Sequence, residues 1–213
     1  MSTAMHPAAA STVVALVAEA AELRRQLAAD LATRAVFARL ATTCGSLRFE
    51  LFPRRAPQAV ANFVGLANGV LPYVDSATGE RRTGRYFDGF CIGRIVRGML
   101  LDFTPAADLH GPGYTFDDEY AADLTFNRPY LVAMANDGKR SDGSGTNGSQ
   151  FFVTLSPAAH LNFTKPIFGE LADDHSRRLV DELSLTLVDG QGRPVEPVVV
   201  EHVEITLDYR TER

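Results

Sequence analysis

The 213-residue chain is predicted to be a mainly β protein, a closed antiparallel barrel capped by two helices, with an extra helix in front of it. Three observations lead to this prediction. Short apolar runs with the composition of strands recur along most of the chain. Turns rich in glycine and other turn-forming residues separate these runs at fairly even spacing, as in antiparallel barrels. Behind the first helix, only two short segments are predicted to be helical.

The first predicted element is one helix over residues 12 to about 37. Its apolar residues recur at spacings of three and four, namely Val13, Leu16, Ala20, Leu23, Leu27 and Leu31. Two interpretations stay open: the stripe packs on the body of its own domain, which we prefer, or it forms a dimerisation or partner helix. We therefore divide the chain into an N-terminal helical extension, residues 1–37, and a barrel domain, residues 38–213.

The other elements follow in chain order. Residues 36–52 are predicted to form a hairpin around Cys44-Gly45, because Leu47, Phe49 and Leu51 alternate with polar residues. Pro57 opens a short helix over residues 58–67. After a polar loop over residues 73–85, short strands are predicted at residues 90–95, 99–101, 130–135 and 151–155. A helix over about residues 175–183, a turn at 190–192 and a closing strand at 198–207 complete the prediction.

Composition excludes several function classes. The formal net charge of −5 disfavours a nucleic-acid binder. The two cysteines, Cys44 and Cys91, are too few and too isolated for a disulfide framework or a metal site, and the scattered histidines lack zinc-ligand spacing. No stretch is apolar enough to span a bilayer, and the N-terminus lacks the basic start of a signal peptide. We expect a cytoplasmic protein without metal or cofactor.

The most informative segment is Thr146-Asn147-Gly148-Ser149-Gln150-Phe151-Phe152-Val153. A glycine-rich polar loop there runs directly into an aromatic, β-branched strand. Gln150 stands at the mouth of this strand, and Phe152, two residues on, points to the same face. An amide that both donates and accepts hydrogen bonds, beside an aromatic ring, is suited to holding a peptide.

This segment resembles the signature of the cyclophilin-type peptidyl-prolyl isomerases. The resemblance runs from about Ala38 to Val203, in seven blocks that keep the family's order. Besides the Gln150 segment, the blocks are Ala59-Val60-Ala61-Asn62-Phe63, Tyr86-Phe87-Asp88-Gly89, Gly93-Arg94-Ile95-Val96, Gly111 to Glu119, Met134-Ala135-Asn136 and Ile167-Phe168-Gly169. It implies an eight-stranded barrel with a helix over each open end, and cis–trans isomerisation of X–Pro bonds in peptides and folding proteins.

That reaction requires neither a nucleophile nor a metal. The barrier to rotation, ~18–20 kcal/mol, comes from conjugation of the amide nitrogen with the carbonyl group. The twisted amide has lost this conjugation, so its nitrogen accepts hydrogen bonds better than in either ground state. A donor aimed at that nitrogen, beside a pocket for the proline ring, therefore lowers the barrier.

The resemblance implies a role for each matching residue. Arg94 is the catalytic arginine, and Gln150 with Asn136 anchors the substrate backbone beside Ala135. Met99, Phe152 and Leu161 line the proline pocket, with Leu100 at its edge. His160 stands where many members carry Trp, and Lys165 where many carry His. Simpler interpretations remain: Arg94 is a surface residue of an alternating strand, Phe152 and Leu161 are core residues, and Asn136 only starts a turn.

The block after the arginine departs from the family. Gln has become Asp102, two glycines have become Phe103 and Thr104, and the His before the arginine has become Gly93. A carboxylate at position 102 is expected to pair with Arg94 and offset its charge, and Phe103 and Thr104 are expected to add bulk near the groove. We therefore expect a retained groove with reduced catalysis. The alternatives are a non-catalytic proline-peptide-binding module on the same fold, and a scaffold role through the N-terminal helix.

Overall fold

The computed structural model describes residues 7–75, 78–105 and 111–209. Its helices are α1 (Pro7–Leu31), α2 (Pro57–Ala67) and α3 (Asp174–Ser184), with a short 3-10 turn, η1 (Ala159–Leu161). Its strands are β1 (Arg34–Thr42), β2 (Gly45–Leu51), β3 (Tyr73–Val74), β4 (Arg81–Arg82), β5 (Phe90–Val96), β6 (Leu100–Pro105), β7 (Leu131–Met134), β8 (Phe151–Thr154), β9 (Ile167–Leu171) and β10 (Val200–Tyr209).

Eight of these strands form one curled antiparallel sheet in the order β10-β1-β2-β9-β7-β8-β6-β5. Its two edges meet where β5 reaches the start of β10. There the Gly89 amide donates to the Val200 carbonyl group (2.8 Å), and the Ile92 amide donates to the Val198 carbonyl group (3.0 Å). Main-chain hydrogen bonds therefore connect the two edges of the sheet where β5 and β10 begin.

Phenylalanine rings fill the inside of this sheet. Phe151 stacks on Phe103 with ring centroids 4.8 Å apart, and Phe63 contacts the Phe151 ring edge-on with centroids 5.5 Å apart. Because side chains alternate along a strand, the next residue, Phe152, points to the opposite face of β8. It joins a second apolar cluster there, with Leu100 and Phe126 among its members. Strand β8 thus contributes one ring to the core and one to the outer face.

Helix α1 ends at Leu31, so the prediction that it continues to about residue 37 is wrong. Residues from Arg34 onward pair with β10 as part of β1, since β-branched and aromatic residues such as Val36 and Phe37 favour strands. The apolar stripe of α1 packs on α2, and Leu16 and Ala20 are fully buried. The helix thus lies against its own chain; the side chain of Val13 lies outside the described residues.

Two further differences concern short elements. The predicted polar loop over residues 73–85 contains a two-stranded ribbon, β3 and β4, although residues 76–77 lie outside the described residues. Strand β9 was not predicted as a strand, yet it lies between β2 and β7 in the sheet. Within the part of the chain that the structure describes, no helix has both the length and the apolar character that crossing a membrane requires.

Candidate active site

Strands β5, β6, β7 and β8 and the loop after η1 surround an open groove of about 310 Å³. Twelve residues line it: Arg94, Met99, Leu100, Asp102, Thr104, Ala135, Asn136, Asp137, Gln150, Phe152, Leu161 and Lys165. The structure therefore brings together ten of the eleven residues that the sequence predicted for the site. The eleventh, His160, is exposed on η1 and lies outside the groove lining.

The floor of the groove is apolar. Phe152, only 3% exposed, packs with Leu100, and Met99 and Leu161 flank this cluster. Phe126 stacks beneath Phe152 with centroids 6.1 Å apart and ring planes 16° from parallel. Sequence reasoning missed Phe126, because it lies in the long loop before β7 and follows no periodic pattern. The apolar floor is suited to holding a proline ring, which has no polar group of its own.

Arg94 stands at the wall of the groove and is paired with Asp102. Its Nε and its Nη2 each lie 2.7 Å from the same carboxylate oxygen, Asp102 Oδ2. The Arg94 side chain is 57% exposed, whereas that of Asp102 is only 12% exposed. Burial raises the pKa of Asp102, against the opposing effects of the hydrogen bond and charge of Arg94 and the charge of Lys165. Asp102 therefore fixes one edge of the guanidinium and offsets part of its charge.

A register shift between β5 and β6 sets this pairing. Ile92 lies opposite Phe103 and Arg94 lies opposite Asp102, so Gly93 is the extra residue of a bulge. A Cβ atom on Gly93 would collide with Thr104 Oγ1. The glycine at position 93 and the threonine at position 104 are therefore matched to each other.

The turn over residues 190–192 packs against β5 at Arg94 and Ile95. Gly192 adopts φ +82, which favours glycine, and its carbonyl group accepts a hydrogen bond from the Ile95 amide (2.8 Å). A Cβ atom there would lie 3.3 Å from Arg94 Cγ. This contact was not predicted, because no sequence pattern places the turn beside β5.

Asn136 holds the opposite wall together. Its Nδ2 donates to Asp118 Oδ1 (2.9 Å) and to Asn147 Oδ1 (3.0 Å), and its Oδ1 accepts from the Gly138 amide (3.2 Å). The last bond closes the turn expected at this asparagine. Lys165 Nζ also donates to Asn136 Oδ1 (2.8 Å). Burial lowers the pKa of Lys165, while the charges of Asp137, Asp118 and Asp102 act in the opposite direction.

The acidic cluster over residues 117–119 supports these neighbouring segments. Asp117 Oδ1 accepts from the Gly145 amide (2.7 Å), and Asp118 Oδ1 from Asn136 and Asn147. Glu119 accepts from the Gln58 and Ala59 amides at the start of α2, where a carboxylate is favoured by the helix dipole. Each acidic residue of the cluster thus accepts a structural hydrogen bond.

One expectation about the groove is wrong. Phe103 does not add bulk there, because its ring is fully buried in the core against Phe151. The alternation of β6 places Phe103 inward while its neighbours Asp102 and Thr104 face the groove.

Comparison with known proteins identifies the family. Residues 37–205 match the model of the cyclophilin type peptidyl-prolyl cis-trans isomerase/CLD family. The chain belongs to the cyclophilin-type peptidyl-prolyl cis-trans isomerases. It is 42% identical over 171 residues to peptidyl-prolyl cis-trans isomerase A of Mycobacterium tuberculosis, covering 79% of this chain and 91% of that protein. It is 41% identical over 173 residues to peptidyl-prolyl cis-trans isomerase B of Streptomyces anulatus, covering 80% and 96% respectively.

Solved cyclophilin structures share the fold. A crystal structure of a Cryptosporidium parvum cyclophilin type peptidyl-prolyl cis-trans isomerase superimposes with a TM-score of 0.63 at 26% identity, covering 81% of this chain and 98% of that one. A second crystal structure of that protein, determined in the presence of the dipeptide Ala-Pro, gives a TM-score of 0.61. In this cyclophilin, α1 precedes the segment that the family model matches.

Proposed function

We propose that the groove isomerises X–Pro bonds by stabilising the twisted amide with Arg94 while the apolar floor holds the proline ring. The observation that carries the proposal is the meeting of these two features in one open groove. The Arg94 side chain is more than half exposed, and the same groove is floored by Phe152 and Leu100. A cation beside an apolar socket is the arrangement that rotation about X–Pro requires.

The guanidinium suits this task because it stays protonated and presents several donors in a rigid plane. Its contact with Asp102 uses Nε and Nη2, and the Nη1 donors take no part in it. When the amide twists, the lone pair of its nitrogen is no longer conjugated with the carbonyl group, and a donor from Arg94 then binds the transition state more tightly than either isomer. No proton is transferred and no covalent bond is formed or broken.

Gln150, Ala135 and Asn136 also line the groove, and we assign them to the peptide backbone on either side of the proline. The side chain of Asn136 is held by Asp118, Asn147 and Lys165, so this asparagine shapes the wall. Gln150 carries an amide that both donates and accepts, as a peptide group requires. The substrates on this proposal are proline-containing peptides and segments of unfolded proteins.

The ion pair with Asp102 favours a second candidate, a proline-peptide-binding module with little or no turnover. Arg94 Nε and Nη2 both donate to one oxygen of the buried Asp102 carboxylate. The negative charge of Asp102 therefore offsets part of the positive charge that Arg94 presents to the substrate. We expect reduced turnover with retained peptide affinity. Exchange rates of a short X–Pro peptide, measured by NMR at micromolar protein together with peptide affinity, separate the candidates. Acceleration supports the isomerase; affinity without acceleration supports the binding module.

We further propose a cytoplasmic location and the division of the chain into a helical extension and a cyclophilin domain. Both cysteines, Cys44 and Cys91, are free thiols, as is typical of proteins in a reducing compartment. The family match begins at residue 37, behind α1, which supports the division. Self-association through α1 stays a prediction, and the mass of the protein in solution at several concentrations tests it.

A further inference from the structure

An exposed aromatic pair lies beside the proline groove. Tyr120 is 38% exposed and Phe163 is 56% exposed, and their rings form a T-shaped pair with centroids 6.3 Å apart. Both rings border a shallow cleft of about 10 Å³ that Leu124, Phe126 and Lys165 also line. Two aromatic rings left open to water are unfavourable for the free protein, because they keep apolar area hydrated.

The backbone at Phe163 is strained. Phe163 adopts φ +55, a left-handed conformation that glycine adopts readily and that a residue with a Cβ atom avoids. Hydrogen bonds on both sides fix the turn: Asn162 Oδ1 accepts from the Phe126 amide (2.8 Å), and Thr164 Oγ1 donates to the Leu161 carbonyl group (2.8 Å). Strained backbone positions of this kind cluster at active sites and ligand clamps, so the ring of Phe163 is a candidate for a binding role.

The cleft lies next to the groove. Lys165 lines both of them, and Phe126, which lines the cleft, stacks on Phe152 of the groove floor. Tyr120 is tied to the same network: burial, and then a side-chain hydrogen bond with Asp118, raise its pKa. Asp118 in turn accepts from Asn136 of the groove wall (2.9 Å). The aromatic pair is therefore fixed in position relative to the proline pocket.

We propose that Tyr120 and Phe163 form a flanking subsite that binds an aromatic or large apolar side chain of the same peptide whose proline occupies the groove. The inference rests on the proposed function, since the proline places the peptide. The cleft is too small to enclose a ring, so the side chain lies across the two rings in stacked or edge-on contact. Because Lys165 lines both the cleft and the groove, the preferred residue lies close to the proline.

The test compares peptide affinities, which do not depend on turnover. A proline peptide with alanine flanks is compared with peptides carrying phenylalanine at each of three positions before and after the proline. We expect one position to raise affinity about fivefold in the wild-type protein. The Phe163→Gly variant, whose backbone suits φ +55, should fold normally, keep its affinity for the alanine peptide and lose this preference. Leu187→Ala, which truncates an exposed apolar residue elsewhere (69% exposed), should keep it.

Two results would overturn the inference. One is an alanine peptide that binds while phenylalanine gives no gain at any position. The other is a gain that survives in Phe163→Gly. A protein that binds no proline peptide at all would contradict the proposed function as well. The two results above contradict the subsite alone, because in both of them the alanine peptide still binds, so the two failures are distinguishable.

Discussion

Replacing Asp102 with glutamine should make this cyclophilin faster at neutral pH. Asp102 Oδ2 accepts from both Nε and Nη2 of Arg94 at 2.7 Å. The amide of glutamine still accepts from the charged guanidinium but lacks the ion-pair attraction, which contributes ~0.2–1 kcal/mol where a partner is exposed to solvent. At the upper end of that range, the amide holds Arg94 about 1 kcal/mol less tightly. If that difference becomes available to the transition state, kcat/KM rises about fivefold. Glutamine keeps an oxygen that orients the guanidinium.

The assay is NMR exchange on an X–Pro peptide at pH 7.5, with the unfolding midpoint of each variant measured alongside. Asp137→Asn is the matched control: it removes a carboxylate from the same groove lining and leaves the contact between Arg94 and Asp102 in place. We expect it to change the rate by less than about twofold, below the shift assigned to the ion pair. A folded Asp102→Gln protein with an unchanged or lower rate would refute the reasoning.

Three further predictions concern Asp102, Arg24 and Gly93. Because the pKa of Asp102 is raised, the fraction of Asp102 that is protonated grows as pH falls toward that pKa. Protonated Asp102 no longer offsets the charge of Arg94, so kcat/KM of the wild type should rise as pH falls. Asp102→Gln should lack this rise. Arg24→Ala should lower the free energy of unfolding, measured in urea, by about 2 kcal/mol. The buried Arg24 donates to Gln58 Oε1 (2.9 Å) and lies over the Phe116 ring (4.9 Å). The control is Arg25→Ala at the exposed neighbouring position, and an equal loss of stability in both variants would contradict this assignment. Gly93→Ala should lower the free energy of unfolding by roughly 1–3 kcal/mol, because the added Cβ atom collides with Thr104. The double variant Gly93→Ala with Thr104→Ala should recover most of this loss. A loss in the double variant equal to the sum of the two single losses would show that the residues are not coupled.

The sequence predicted the groove well because its residues lie in local motifs. Gln150 and Phe152 share one face of a strand by alternation alone, and the family blocks carried Arg94 and Asn136 to the same site. Lys165 was assigned there as the position where many members of the family carry His. Asp102 stood out as a departure from the family pattern, and its contact with Arg94 is present in the structure. Alternation within a strand and order along the chain are sequence properties, so these features were accessible without coordinates.

Other features depend on contacts between distant segments. Strand β9 was missed because Pro166 and Gly169 interrupt a short run, yet its pairing with β2 and β7 makes it a strand. The inward direction of Phe103 follows from the register of β6 against β8, which no local pattern fixes. The position of the aromatic pair depends on a turn at Phe163 that propensity argues against. Such tertiary effects override local preference.

The same limit applies to the N-terminal helix. Its apolar stripe was visible, but the sequence left open whether it packs on its own domain or on a partner. The guanidinium of Arg24 lies over the rings of Tyr114 and Phe116, which brings together segments about ninety residues apart in the chain. Only the fold shows that α1 lies against α2 beside the acidic cluster that supports Asn136.

The most direct test of the mechanism is the exchange rate of an X–Pro peptide with Arg94→Ala beside the wild type, measured together with peptide affinity. If Arg94 acts on the twisted amide, the variant should lose ~2–4 kcal/mol of transition-state stabilisation, roughly 30- to 1000-fold in rate, while affinity changes little. Arg94→Ala with the wild-type rate would contradict the account, because the twisted amide would then be stabilised by another group.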